Sequence, residues 1–230
     1  VAVPVQNIKN IYDAVAQCGL ELAGVVYGPV AAAEVILTKA EKEFGTELGD
    51  IGAGTTSVSV FDHGLLRETV VLPVGGEHLI SDLAIGLHTS FNRAKRIFLD
   101  YQSEQTLETH IELVRAIIEA RISEILHLTV DAIKNFNYPG LLPGGVVFCG
   151  GVTRLRGFIE YAENIMQMPV RIGYVQGHSN NTVELTFANA YGLLHIAKKS
   201  FCKSLVEPAV KFGTGTLIRR IGKWVQKRIR

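Results

Sequence analysis

The first residues able to do chemistry are an aspartate, two closely spaced glycines and two threonines, in the order Asp50-Ile-Gly52-Ala-Gly54-Thr55-Thr56. Because Gly52 and Gly54 lack a Cβ, phosphate oxygens can approach the backbone N–H groups closely. The threonines add hydroxyl donors, and Asp50 can hold Mg²⁺ through its water ligands. The pattern predicts a phosphate-binding turn, although a glycine-rich hairpin without any ligand fits this segment equally well.

A second glycine turn follows the apolar segment GGVVFCGG, which predicts a buried strand ending in Gly150 and Gly151. A predicted helix begins just beyond it, near Thr153. Bare backbone at such a turn can pack on a ribose or an α-phosphate, and a helix N-terminus favours anionic groups. The alternative is an ordinary turn between a strand and a helix.

Hydrophobic periodicity places these turns among alternating strands and helices. The predicted strands are residues 1–5, 22–27, 144–151 and 170–172, with a hairpin over 57–72 that turns at His63–Gly64 and buries Val58 and Val60. The predicted helices are 7–18 capped by Asn7, 29–44 opened by Pro29, 77–87, 89–101, about 107–136, 153–166 and 187–199. This order, with its hairpin, predicts an α/β sheet of mixed direction with helices on its faces.

Composition is that of a folded protein. Hydrophobic residues make up 47% and charged residues 20% of the 230 residues. Neither an apolar run of ~18 residues nor a secretory signal pattern occurs in the sequence. The three cysteines, Cys18, Cys149 and Cys202, form no CxxC pair, so we expect reduced thiols rather than disulfides or structural zinc.

The last fifteen residues differ from the rest in charge and pattern. Residues 216–230 hold six basic side chains and no acid, and subtracting +6 from the net charge of +1 leaves −5 elsewhere. On a helix, one face is apolar and the other basic: Leu217, Ile218, Ile221, Trp224, Val225 and Ile229 oppose Arg219, Arg220, Lys223, Lys227, Arg228 and Arg230. This predicts an interfacial helix on an anionic membrane. The alternatives are a helix packed on the core, and nucleic-acid binding, which the apolar stripe disfavours.

Several segments together resemble the actin-like ATPase superfamily, and within it the cell-division protein FtsA family. DIGAGTTSVSVF is similar to the second phosphate loop and VFCGGVTRLRGF to the adenosine loop, with VLPVGGEHLISDLAIGL between them. The resemblance covers nearly the whole chain. It implies an actin-like (ribonuclease-H-like) fold with an ATP-binding lobe at 1–200, a trimmed helical subdomain at about 76–140, a linker at 201–215 and the amphipathic helix at 216–230.

The resemblance also implies ATP and Mg²⁺ as cofactors. The nucleotide-binding residues would be Asp50, Gly52, Gly54, Thr55, Thr56, Gly75, Gly76, Gly150, Gly151 and Thr153, with Asp50 holding Mg²⁺ through water. It implies a scaffold at the division septum, on the cytoplasmic side of the membrane, that forms filaments and tethers FtsZ. Arg93, Lys95 and Arg96 could meet the acidic FtsZ C-terminal peptide, or form a solvated basic face. The alternatives are a PilM-like pilus-assembly adaptor and a small-molecule kinase of the same superfamily.

The sequence departs from the family pattern in four places. The other half of a nucleotide cleft would precede Val1. Glu47 and Gly49 replace apolar residues, so we expect the strand before Asp50 to be weakened. Residues 94–98 read Ala-Lys-Arg-Ile-Phe instead of the usual Ala-Glu-x-Ile-Lys, and the stretch 101–113 is shorter than in relatives. No general base for water is identifiable in the sequence, so hydrolysis would be slow.

Overall fold

The computed structural model describes residues 3–103, 111–136, 140, 142–175 and 185–206. The chain divides into two compact units, residues 1–193 and 194–230. Of the second unit the structure describes residues 194–206, the later part of a helix. Residues 207–230, which include the predicted membrane helix, lie outside the described residues.

A five-stranded mixed sheet forms the centre of the first unit. Its strands are β1 (Thr46–Ile51), β2 (Thr56–Asp62), β3 (Leu65–Leu72), β4 (Val146–Cys149) and β5 (Val170–Ile172), in the order β3-β2-β1-β4-β5. β1, β2 and β3 are antiparallel neighbours, whereas β4 runs parallel to β1 and to β5. The prediction of a sheet of mixed direction is confirmed.

Eight α-helices lie within the described residues, and several of them pack on the two faces of the sheet. The eight helices are α1 (Val5–Gln17), α2 (Gly28–Ile36), α3 (Lys39–Phe44), α4 (Gly76–Gly86), α5 (Phe91–Gln102), α6 (Ile111–Asn135), α7 (Phe158–Met166) and α8 (Ala188–Val206). Apolar residues of α4, α5, α6 and α7 form one core with Ile51, Val146 and Phe148. Alanines of α2 and Ala188 form the other with Leu48 and Val147. The central strands β1 and β4 are therefore buried on both faces, whereas the edge strand β3 has no buried residue.

The predicted hairpin is confirmed in its position and in its antiparallel pairing. His63 and Gly64 have φ values of 50° and 72°, the left-handed pair that closes a tight two-residue turn. Val58 and Val60 are 0% exposed. Because β2 continues directly from the turn after β1, the hairpin fixes the position of the residues between Ile51 and Thr56.

Two predicted strands are wrong. Val5 begins α1, whose N-cap is Pro4 rather than Asn7. Residues 22–27, all described, form no strand, and Val25 is 46% exposed. Both segments are apolar, but their described residues pair with no strand, and Tyr27 alone among them is hydrogen-bonded to the sheet, through its hydroxyl and that of Thr69 at 3.0 Å. Hydrophobicity alone therefore overestimated the burial of these segments.

Two predicted helices are interrupted. The helix expected over 29–44 breaks after Ile36, because extended Thr38 caps a separate α3 through reciprocal hydrogen bonds with Glu41. The helix expected over 153–166 begins only at Phe158. Residues 151–154 instead form a 3₁₀ turn, and Gly157 is left-handed with φ 74°.

Glu47 and Gly49 do not displace the strand that carries Asp50. β1 lies at the centre of the sheet, between β2 and β4, and its residues 46–49 are buried. The predicted weakening of this strand is therefore not seen in the fold. α8 extends to Val206, so its last residues occupy the start of the predicted linker.

Candidate functional site

The turn between β1 and β2 exposes backbone at its tip. The Gly52 N–H donates to the Thr55 carbonyl at 2.9 Å, which closes the turn. Ala53, Gly54 and Thr55 are exposed, and a Cβ at Gly54 would meet nothing within 4 Å. An anion could therefore reach the backbone here without displacing any described group.

Gly75 and Gly76 support this turn from beneath. Gly76 N–H donates to the Gly52 carbonyl at 2.9 Å, and the next N–H donates to the Ala53 carbonyl at 2.7 Å. A Cβ at Gly75 would lie 2.6 Å from the Gly52 carbonyl oxygen and 2.9 Å from the Thr55 nitrogen. Only glycine permits this approach, so the pair positions the turn through backbone contacts.

The hydroxyl of Thr56 is directed inward. Its Oγ1 donates to the Val74 carbonyl at 2.8 Å, and the residue is fully buried. Thr55 is the exposed threonine of the two. Thr56 thus ties the start of β2 to the segment before α4, while Thr55 offers its hydroxyl at the tip of the turn.

The second glycine pair packs directly against the first motif. Gly150 has φ 95°, and a Cβ there would lie 2.3 Å from the Ile51 carbonyl oxygen and 2.8 Å from a carboxylate oxygen of Asp50. Thr153 Oγ1 donates to the Gly150 carbonyl at 2.8 Å and closes the turn. The two glycine turns, about a hundred residues apart in the chain, therefore meet where the parallel strands β1 and β4 end. Ligands of open α/β sheets bind at such carboxyl ends.

Gln102, at the C-terminal end of α5, reaches the same loop. Its Nε2 donates to the Gly151 carbonyl at 3.1 Å. No sequence signal marks this residue, so it was not among the predicted site residues. The contact shows that α5 borders the second glycine turn, although residues 94–98 lack the usual acid and lysine. Phe98, within that stretch, is buried in the core.

Asp50 lies at the base of both turns and is largely buried. Asn189 Nδ2 donates to its Oδ2 at 3.0 Å, and the thiol of Cys149, its register partner on β4, is also hydrogen-bonded to it. Burial raises the pKa of Asp50, and these two hydrogen bonds oppose that rise. Burial and the neighbouring carboxyl likewise raise the pKa of Cys149. Sequence reasoning missed the roles of Cys149 and Asn189 here, because both contacts depend on tertiary structure.

These residues fit a nucleotide with Mg²⁺. The exposed turn offers backbone donors for phosphate, and Asp50 offers the oxygen that Mg²⁺ prefers. Within the described part of the chain, no group of three or more His, Cys, Asp or Glu residues could hold a metal alone. A cation would therefore be shared with the phosphates and held partly through water.

The other predicted site residues lie elsewhere. Arg93, Lys95 and Arg96 are exposed on α5. The predicted membrane-binding residues all fall within 207–230, outside the described residues. Among the described helices, none is long and apolar enough to cross a membrane.

Comparisons with solved structures identify the fold. The chain is similar to the ethanolamine utilization protein EutJ of Carboxydothermus hydrogenoformans, with a TM-score of 0.62, 27% identity and coverage of 83% of this chain and 61% of EutJ. It is also similar to MreB5 of Spiroplasma citri bound to ADP, with a TM-score of 0.70, 18% identity and coverage of 90% and 69%. An archaeal actin homologue, Ta0583, has a TM-score of 0.53. The fold is actin-like, as predicted.

Sequence comparison identifies the family. The profile described as "Cell division protein FtsA" matches residues 48–192. FtsA of Neisseria meningitidis is 31% identical over 250 residues, with coverage of 95% of this chain and 59% of the relative. FtsA of Bacillus subtilis is 33% identical over 184 residues, with coverage of 72% and 42%. The chain thus spans about 59% of the length of the first of these relatives, and it belongs to the cell division protein FtsA family.

Proposed function

We propose that this chain is part of an ATP-binding, actin-like scaffold of bacterial cell division that self-associates and tethers FtsZ to the cytoplasmic membrane. The observation that carries ATP binding is the meeting of the two glycine turns and Asp50 at the carboxyl ends of β1 and β4. MreB5, which shares the fold, was solved with ADP bound, and this likeness supports the same type of ligand.

Contacts at each glycine decide which substitutions are suited to testing the proposed nucleotide site. Gly150→Ala and Gly75→Ala would place a Cβ against backbone, so either change would damage the fold itself. At Gly54 a Cβ meets open space, and at Gly151 it meets only a Thr186 methyl group at 3.3 Å. Gly54→Val therefore adds bulk in open space where we place the ligand, and Gly151→Val adds it where only the Thr186 methyl group must shift.

The test is MgATP binding by the full-length polypeptide carrying either substitution, measured by calorimetry. We expect each variant to bind about tenfold or more weakly, because the added side chain obstructs the phosphates or the nucleoside. Gly24→Val is the matched control, since a Cβ there also meets nothing within 4 Å and the residue lies outside the site. Unchanged affinity in both site variants would refute the assignment.

The remaining parts of the proposal rest on family membership and on the sequence. Filament formation is tested by sedimentation with and without MgATP. Binding of the FtsZ C-terminal peptide is tested with Arg93→Glu and Arg96→Glu, which reverse exposed charges on α5. Lys134→Glu, an exposed position on α6, is the control. Equal peptide affinity in all three variants would remove α5 from the interface.

The PilM alternative has one supporting observation. The chain is similar to PilM in its type IV pilus complex with PilN, with a TM-score of 0.63, 16% identity and coverage of 87% and 58%. At this identity the likeness supports the shared fold only, whereas the family profile favours cell division. The kinase alternative has no specific observation in its favour.

A further inference from the structure

Asn189 carries a buried oxygen that no described group satisfies. Its Nδ2 donates to Asp50 Oδ2 at 3.0 Å, whereas its Oδ1 is buried and accepts no hydrogen bond from the described residues. The orientation of the amide follows from chemistry, because an ionised carboxylate only accepts and so must face the nitrogen. A buried acceptor without a donor is costly, and this one lies beside a buried carboxylate.

The space around this oxygen is bounded by backbone. A Cβ at Gly28, the first residue of α2, would lie 3.3 Å from Asn189 Oδ1, so a side chain there would crowd it. On the other side of Asp50, a Cβ at Gly150 would lie 2.8 Å from Oδ1 of that carboxylate. Glycine at both positions therefore keeps a Cβ away from these two oxygen atoms.

We propose, on the basis of the proposed function, that Asn189 is a positioning residue of the divalent-cation site that accompanies the nucleotide. Its Nδ2 orients the Asp50 carboxylate, and its Oδ1 accepts a hydrogen bond from a water molecule of the cation. Mg²⁺ retains several of its waters and is bound through one or two carboxylates together with phosphates. One carboxylate and one amide oxygen at this position suit such partly hydrated binding.

The test compares nucleotide affinity with and without Mg²⁺. For each full-length variant, the ADP dissociation constant is measured by calorimetry in EDTA and in saturating Mg²⁺. The Mg²⁺ ratio is the dissociation constant in EDTA divided by that in Mg²⁺, so a large ratio means that Mg²⁺ strengthens binding. We expect Asn189→Leu to lower this ratio about tenfold, because a hydrogen bond to a charged group is lost. Its affinity in EDTA should stay close to that of the wild type. A residue with a purely structural role would change both affinities together and leave the ratio unchanged.

A second variant keeps the test decisive if Asn189→Leu does not fold, as checked by circular dichroism. Asn189→Asp retains the size and an acceptor oxygen and adds a negative charge beside Asp50. We expect it to weaken binding in EDTA by repelling phosphate, and to raise the Mg²⁺ ratio above the wild-type value. Asn164→Leu, at an exposed position on α7, is the matched control.

The outcomes separate this inference from the function on which it rests. If the wild type binds no nucleotide at all, both the proposed function and the role of Asn189 are refuted. If the wild type shows a Mg²⁺-dependent gain that both Asn189 variants retain unchanged, the role of Asn189 alone is refuted. A lowered ratio in Asn189→Leu, or a raised ratio in Asn189→Asp, with no change in Asn164→Leu, supports it.

Discussion

Gly49 on β1 makes room for the ring of Phe148 on β4. The two residues are register partners in the parallel pair, and a Cβ at Gly49 would lie 2.5 Å from Phe148 Cε1. Phe148 is 0% exposed and meets Phe158 edge to face, with ring centroids 5.4 Å apart. The glycine that seemed to weaken the strand is thus required by the packing of a core aromatic ring.

We therefore expect Gly49→Ala to destabilise the protein. Forcing one carbon into this contact should cost about 1–3 kcal/mol, the usual range for overpacking. Phe148→Leu should relieve the clash, so the double variant should lose less stability than the two single changes added together. Urea unfolding of all four proteins measures this coupling. If the losses of the two single variants simply add up in the double variant, the ring of Phe148 is not what excludes a Cβ at position 49.

Gly49 illustrates what the sequence could and could not predict. The hairpin was predictable because His63–Gly64 and the alternation around Val58 and Val60 are local signals. The Gly49–Phe148 contact joins residues about a hundred positions apart, and a glycine in a strand carries no information about its partner. The break before α3 also has a local signal, since Thr38 and Glu41 match the capping-box pattern.

Glu47 is the second unexpected residue of β1, and it predicts a pH dependence. It is 0% exposed between register partners Val60 and Val146, and neither carboxyl oxygen has a partner among the described residues. Burial raises the pKa of Glu47 from 4.5 to about 8. Between these values the folded protein holds a proton that the unfolded chain has released, so stability falls as pH rises.

Glu47→Gln should abolish this part of the pH dependence. Between pH 4.5 and pH 7 the free energy of unfolding of the wild type should fall by about 3 kcal/mol more than that of the variant. The value follows because each unit of pKa shift corresponds to about 1.4 kcal/mol. Urea unfolding across this range measures it. For Glu160→Gln, at an exposed position on α7, the free energy of unfolding should change with pH in the same way as that of the wild type. If the free energy of unfolding of Glu47→Gln also follows that of the wild type, the Glu47 carboxyl does not stay protonated in the folded protein.

The ion pair between Glu41 and Arg171 predicts the opposite pH dependence. Arg171 Nε and Nη2 donate to the two carboxylate oxygens of Glu41 at 2.7 and 2.8 Å, and Nη2 also reaches the Ile36 carbonyl at 3.2 Å. Burial would raise the pKa of Glu41, but the hydrogen bonds from Arg171 and Thr38 outweigh it and lower the pKa below 4.5. This stabilisation is present above the unfolded pKa and is lost as pH falls through the folded value.

Glu41→Gln should therefore cost roughly 1–2 kcal/mol at pH 7, the range for losing hydrogen bonds to a charged group. The difference from the wild type should shrink as pH falls below 4.5, because the wild-type carboxyl then loses its charge too. Glu43→Gln, on the same helix, removes only a 3.8 Å contact with His63 at a side chain that is 60% exposed, so it should cost little. Equal costs for the two variants would contradict the account.

The candidate site, like the fold, contains some residues that local sequence patterns predict and others that depend on tertiary contacts. The paired glycines and Asp50 could be selected from the sequence, because closely spaced glycines after an aspartate are a local pattern that marks closely approached backbone. The roles of Asn189 and Gln102 could not be predicted, since each depends on a tertiary hydrogen bond that no local pattern indicates. The support that Gly75 and Gly76 give to the first turn likewise became visible only with the hydrogen bonds of the turn itself.

The last prediction concerns residues 216–230, for which the proposal of membrane binding rests on the sequence. An isolated helix of this length is marginal in water, and its cations repel one another. An anionic bilayer supplies a compensating field and an apolar phase for Ile221 and Trp224. We expect the Ile221→Ser/Trp224→Ser double variant to abolish co-sedimentation with anionic liposomes while circular dichroism of the protein stays close to that of the wild type.

Charge and apolar contributions can be separated by lipid composition. Arg219→Ala with Arg220→Ala should weaken binding to anionic vesicles by roughly 2 kcal/mol, about thirtyfold, since each basic residue near the surface contributes roughly 1 kcal/mol. Binding to neutral vesicles should change little, and high salt should reproduce the effect on anionic ones. Trp224 is the only tryptophan in the chain, so its fluorescence reports insertion directly. If that fluorescence shows no blue shift on anionic vesicles, the segment does not enter the membrane and the alternative of a helix packed on the core is favoured.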